Sequence, residues 1–160
     1  MPAEDAKVLP LAHGPLVLVV DDELTPRSII GRMVRSLGYQ ARSCSSGREA
    51  LRLLETHRRE VRLLLADLGM PRMDGGELAE RARDLDPGLH VILMANHGDP
   101  HVGDLLAGYR DLPFLVKPVS FGELAERLED VLGAPPRSPS DPRSMQEPRS
   151  RRRTSGHHEV

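Results

Sequence analysis

The chain has 160 residues, a net charge of −2 and one cysteine, so it holds one domain with tails at most and no internal disulfide or cysteine-built metal cage. The first residues, MPAEDAKVLPLAHG, carry acids early and no apolar centre, unlike a signal peptide, and no apolar run reaches the ~18 residues of a membrane helix; a reducing, cytoplasmic setting is expected. Residues 134–160 hold six arginines against three acids, which leaves a body of −5 with no Trp and only Tyr39, Tyr109, Phe114 and Phe121 as aromatics, so no direct nucleic-acid binding is expected.

Residues 1–14 read as a flexible arm. Leu16–Val20 is a short, wholly apolar run that passes directly into Asp21, Asp22 and Glu23. Thr25-Pro26 predicts an N-cap followed by proline at the first helical position. Ile29, Ile30, Met33, Val34 and Leu37 then keep one helix face apolar until Gly38. Residues 39–45, YQARSCS, mix apolar and polar side chains and fit a strand at a sheet edge. Ser46 and Glu49 form a capping-box pattern that opens a second helix.

Leu63–Ala66 is the next apolar run, followed by Asp67. Gly76–Leu85 predicts a third helix. Val91–Ala95 is another run, followed by Asn96, and residues 100–108 predict a weak, short fourth helix. Phe114–Val116 leads into Lys117 and Pro118. Ser120 and Glu123 cap a fifth helix, which Gly133 ends. The four apolar runs read as strands buried on both faces. Beyond residue 133 the chain turns to Pro, Ser and Arg, and disorder is expected over 134–160. The folded domain is expected over 15–133.

Five strand–helix repeats imply a parallel sheet with helices on both faces. Ligands of such sheets sit beyond the carboxyl ends of the strands. The residues that follow the strands are Asp21, Asp22 and Glu23, then Asp67, then Asn96, then Lys117. Three or more carboxylates at one edge repel and resist desolvation, so they need a counter-charge. Oxygen donors without His or Cys suit Mg²⁺. A partly exposed Asp beside such an ion can attack phosphorus, and a lysine can pair with phosphoryl oxygens. Only Lys7 and Lys117 are lysines among 22 basic residues, so lysine at 117 is a departure from the chain's habit.

VLVVDDE, LLLADLGMPRMDGGEL and FLVKP resemble the receiver domain of two-component response regulators, over about residues 15–133. The resemblance implies a doubly wound, flavodoxin-like α/β fold with five parallel strands in order 2-1-3-4-5 and five flanking helices. It implies Asp67 as phospho-acceptor, Asp22 as a direct Mg²⁺ ligand, Asp21 as helping to hold the ion, and the Gly69 backbone carbonyl as a further ligand. Lys117 is implied as the phosphoryl contact, with Pro118 following it in a cis peptide. Met70-Pro71 and Asp74-Gly75-Gly76 are implied to shape the loop after Asp67. Phe114 occupies the aromatic position that swings inward on activation, and equally reads as a plain core Phe. The implied donor is a sensor histidine kinase or a histidine phosphotransfer protein.

The chain departs from this pattern at VILMANHGD. Ala95 stands where the resemblance places a Thr or Ser hydroxyl, and Asn96 where it places Ala or Gly. A lost hydrogen bond to a charged group costs about 1.5–3 kcal/mol. Asn96 either donates a substitute bond or crowds the acceptor. The reading is a stand-alone receiver, not an enzyme in the turnover sense, with output through contacts to an unknown protein target. One rival is a pseudo-receiver, a binding module that works without phosphate. The other, an aspartate-nucleophile phosphatase, needs a second Asp two positions after the nucleophile, and neither Asp21-Asp22-Glu23 nor Asp67-Leu68-Gly69 supplies it. His97 and His101 have metal-ligand spacing, but Gly98 and Pro100 interrupt any helix that would align them. Residues 149–155, RSRRRTS, read foremost as a solubilising tail, and otherwise as a contact for an acidic partner or membrane surface or as a phosphate acceptor at Thr154 or Ser155.

Overall fold

The computed structural model describes residues 14–96, 98, 103–104, 107–109 and 111–134. The expected tails therefore lie outside the described residues except for Gly14 and Ala134 at their inner ends, as do His97 and His101. Strands β1 (Leu16–Val20), β2 (Gln40–Cys44), β3 (Val61–Asp67), β4 (His90–Asn96) and β5 (Phe114–Lys117) alternate with helices α1 (Leu24–Ser36), α2 (Gly47–Thr56), α3 (Gly75–Leu85) and α4 (Phe121–Leu132). Of the helix expected over 100–108, residues 103–104 and 107–108 are helical, and the others lie outside the described residues.

All strand pairs are parallel, in the order β2-β1-β3-β4-β5. Because strand side chains alternate, each central strand feeds two cores. Leu18, Val20, Leu64, Ala66 and Leu93 pack on one face with Ala50, Leu54, Leu78 and Ala82 of α2 and α3. Val17, Val19, Leu63, Leu65, Ile92 and Met94 pack on the other with Ile30, Val34, Leu124 and Leu128 of α1 and α4. This two-sided demand is why β1, β3 and β4 are written as unbroken apolar runs.

Two expectations are corrected. β5 is not buried on both faces: it is an edge strand, with Phe114 and Val116 44% and 41% exposed and only Leu115 buried in the core. Helix α1 does not begin at a Thr25 cap. Its N-cap is Glu23, without a side-chain cap bond, and Pro26 lies in the first turn. The first helical bond is Arg27 N–H to the Glu23 carbonyl. The N–H groups of a first turn have no intrahelical acceptor, so proline forfeits no helical hydrogen bond at any of those positions. The capping Ser46 and Ser120 accept from the backbones of Glu49 and Glu123 as expected.

Candidate functional site

The register brings the strand ends level. Val20 lies beside Ala66 and Cys44, Asp67 beside Met94, and Asn96 beside Lys117. Asp21 follows β1 directly, and Asp67 and Lys117 are the last residues of β3 and β5. Lys117 reaches past the end of β4 to the two acids. Its Nζ donates to Asp21 Oδ2 at 2.5 Å and lies 3.2 Å from Asp67 Oδ1.

Asp21 is fully buried and its polar atoms are spoken for. Its N–H donates to the Cys44 carbonyl, Oδ1 accepts from the Glu23 N–H at 3.0 Å, and its own carbonyl accepts from Arg27 Nη1 at 2.8 Å. Asp22 is exposed. Asp67 is only 4% exposed, and its Oδ1 is buried with no aligned hydrogen-bond donor among the described residues. The Lys117 ammonium is within ion-pair distance of that oxygen but outside hydrogen-bond geometry.

Burial pushes the Asp67 carboxyl above the ordinary range; the Lys117 charge pulls it down and Asp21 adds to the rise. For Lys117 burial acts downward, but the Asp21 hydrogen bond and the charges of Asp67 and Asp21 outweigh it, and its pKa is raised. Among the described residues Lys117 is the cation that ion-pairs with these carboxylates, Arg27 lies against the Asp21 backbone, and the two buried acids, Asp21 and Asp67, feel their mutual repulsion most.

One oxygen from each of Asp21, Asp22 and Asp67 falls in a group whose members lie within 4.8 Å of one another. An all-carboxylate donor set, one of whose buried oxygens accepts no hydrogen bond among the described residues, fits a small divalent cation such as Mg²⁺. Gly69 borders open space, since a Cβ there would meet nothing within 4 Å. The Lys117–Pro118 peptide is cis. Ala95 is buried and Asn96 exposed beside Lys117. Phe114 stands outward at this edge, away from the core position that one reading gave it.

Several roles have no counterpart among the sequence expectations. Asp74 caps α3 by accepting from the Glu77 backbone at 2.8 Å; the acid followed three residues later by Glu was a usable signal. Arg27 braces the Asp21 carbonyl, for which no local pattern exists. A cleft of about 430 Å³ beside Lys117 and Asn96, walled by Pro26, Ile29 and Pro118, is also unannounced. It joins residues that lie far apart in the chain.

The parallel order β2-β1-β3-β4-β5, with helices on both faces and the acids of β1 and β3 gathered beside the lysine of β5 at one edge, defines an α/β domain of the doubly wound, flavodoxin-like class. Residues 17–129 match the response regulator receiver domain, and the chain belongs to that family. It is 34% identical over 125 residues to the transcriptional regulatory protein GlrR of Escherichia coli (strain K12), covering 76% of this chain and 27% of GlrR. It is 33% identical over 133 residues to the two-component response regulator ORR21 of rice (Oryza sativa subsp. indica), covering 82% of this chain and 19% of ORR21. The chain thus spans about a quarter or less of these curated relatives. Among solved structures, a response regulator receiver domain protein from Clostridium thermocellum superposes with a TM-score of 0.66 at 25% identity, covering 74% of this chain and 94% of that one. The chemotaxis protein CheY4 of Vibrio cholerae superposes with a TM-score of 0.64 at 25% identity, covering 74% and 99%.

Proposed function

We propose that this domain accepts a phosphoryl group on Asp67 from a phosphohistidine donor, a sensor histidine kinase or a histidine phosphotransfer protein. The observation that carries the reading is the Asp67 carboxylate, buried in a three-acid cluster beside a cation, with an oxygen that accepts no hydrogen bond among the described residues. In the transfer an Asp67 oxygen attacks phosphorus. The P–N bond to the donor imidazole breaks, its electron pair stays on the ring nitrogen, and that nitrogen takes a proton. Asp22 and Asp67, with Asp21 behind them and the Gly69 carbonyl, would hold Mg²⁺. The ion, when bound, neutralises charge that builds on the phosphoryl oxygens. Lys117 then turns from the carboxylates toward the phosphoryl group as a point charge. Asp21, fully buried and bonded through Oδ2 to the Lys117 ammonium, keeps Lys117 at the right depth. Output goes through protein contacts, and exposed Phe114, Val116 and Phe121 are suited to them.

Incubation with acetyl phosphate and Mg²⁺, read by intact mass, tests the reading. One phosphate is expected on the wild type and none on Asp67→Asn; equal incorporation in both overturns it. The pseudo-receiver reading keeps one specific support, the buried Ala95 with Asn96 beside Lys117. It predicts no saturable Mg²⁺ response dependent on Asp22 and Asp67, whereas the phospho-acceptor predicts one.

A further inference from the structure

Gly76 sits in the first turn of α3, buried and with no positive φ to require glycine. Glycine there costs about 1 kcal/mol relative to alanine, so something else holds the position. A Cβ on Gly76 would overlap ring atoms Cε2, Cζ and Cδ2 of Tyr109. The ring thus occupies the space of the missing side chain. Burial, then the charges of Asp74, Glu80 and Glu77, push the Tyr109 phenol up, which agrees with a ring lying along the acidic first turn of α3.

The contact is one link of a continuous path. Gly75, the preceding residue, donates its N–H to the Leu68 carbonyl at 3.1 Å. A Cβ on Gly75 would lie 2.5 Å from the Asp67 carbonyl oxygen, so the start of α3 rests directly on the backbone of Asp67. At the other end the Tyr109 carbonyl accepts from the Leu112 N–H at 3.0 Å, and the Pro113 carbonyl accepts from Leu93 at 2.9 Å. Phe114 and β5 follow at once. Packed backbones and a rigid ring respond together, because interiors are dense and have no slack. Ala95 offers no hydroxyl through which the site could act on this region instead.

We propose that Tyr109, seated on Gly76, is a positioning residue that passes the state of the Asp67 site to β5 and Phe114. The inference rests on Asp67 being the phospho-acceptor and adds the route by which that event is read. The two adjacent glycines then serve different ends: Gly75 permits the close approach of α3 to Asp67, and Gly76 seats the ring.

The test uses the full chain with Mg²⁺ and acetyl phosphate. Intact mass measures phosphate, and amide NMR measures shifts at Leu112–Lys117. Wild type and Tyr109→Phe are expected to show phosphate and clear β5 shifts. Tyr109→Leu and Gly76→Ala are expected to take phosphate equally while losing at least half of the summed β5 shift. Gly76→Ala evicts the ring while improving helix propensity, so it guards against a Tyr109 variant that fails to fold. Full β5 shifts in both ring-displacing variants overturn the proposal, as does a phosphorylated wild type whose β5 amides do not move. A wild type that takes no phosphate takes down the reading of Asp67 itself and this inference with it.

Discussion

Asp67 is held where burial and Asp21 oppose its charge more than Lys117 supports it, with one oxygen accepting no hydrogen bond among the described residues. Groups of this kind serve function at the expense of the fold. In chelator at neutral pH, Asp67→Asn is therefore expected to stabilise the domain by on the order of 1–3 kcal/mol, the scale of a poorly satisfied buried polar group. Mg²⁺ should reverse the order, since it binds the folded wild type and contributes about 2.7 kcal/mol at a concentration ~100 times its Kd. Thermal melts with EDTA and with Mg²⁺ check both halves; a variant less stable than wild type in EDTA contradicts the reading. Cys44 makes a simpler case. Burial first, and Glu49 second, push its thiol up to about 11. It should stay unreacted with a thiol reagent at about pH 8 in the native state and react fully once unfolded. Asp21, Asp67 and Lys117 are legible at the strand ends because a charge directly after an apolar run is conspicuous. The choice of Asp21 as the tightest partner of Lys117 is not, because it depends on which acid burial leaves with no access to water.

At the scale of the elements, caps and strands were legible where the signal is local. Ser46 and Ser120 are followed by Glu at the third position, and both caps form. Asp74 carries the same signature and caps α3. Asp74→Ala should cost about 1 kcal/mol, within the ~0.5–2 kcal/mol range for such caps. The loss should appear as a lower urea midpoint at unchanged slope; no change would mean that the turn's tertiary contacts, not the cap, hold the start of α3. The start of α1 is not legible to the residue, because proline marks a first turn without saying which residue of it. The exposure of β5 was missed because three residues are too few to display alternation, and an apolar triplet looks the same at a sheet centre and at its edge. Tyr39 illustrates a tie that no local pattern announces. Its hydroxyl donates to the Gly133 carbonyl at 2.9 Å, 94 positions away, and joins the chain just before β2 to the end of α4. Tyr39→Phe should cost roughly 0.5–1.5 kcal/mol, the net worth of an ordinary hydrogen bond, measured by the same urea titration.

For the molecule as a whole, the parallel sheet concentrates charge at one edge. The chain order spreads Asp21 and Lys117 over 96 positions, and the topology returns them to contact. Folding is what assembles this cluster, so stability must depend on pH through it. Asp67 has a folded pKa above its unfolded one. Its ionised form burdens the native state at neutral pH, and the burden is relieved as pH falls through the folded pKa, fully so below the unfolded value near ~3.9. Lys117 is also raised. Its contribution is fully present below the unfolded value near ~10.4 and is lost as pH rises through the folded pKa. Both groups therefore favour the folded state toward the acid side of their own transitions. Other carboxylates contribute their own pH dependence, so the useful quantity is the stability of wild type minus that of Asp67→Asn, from urea titrations in EDTA. That difference should be negative at about pH 7 and shrink toward zero as pH approaches ~4. With saturating Mg²⁺ it should be positive at about pH 7 and fall with acid, because protonation of Asp67 then competes with the ion. A difference that is flat in pH under both conditions would mean that the Asp67 carboxylate is not the group that links the sheet edge to the stability of the fold.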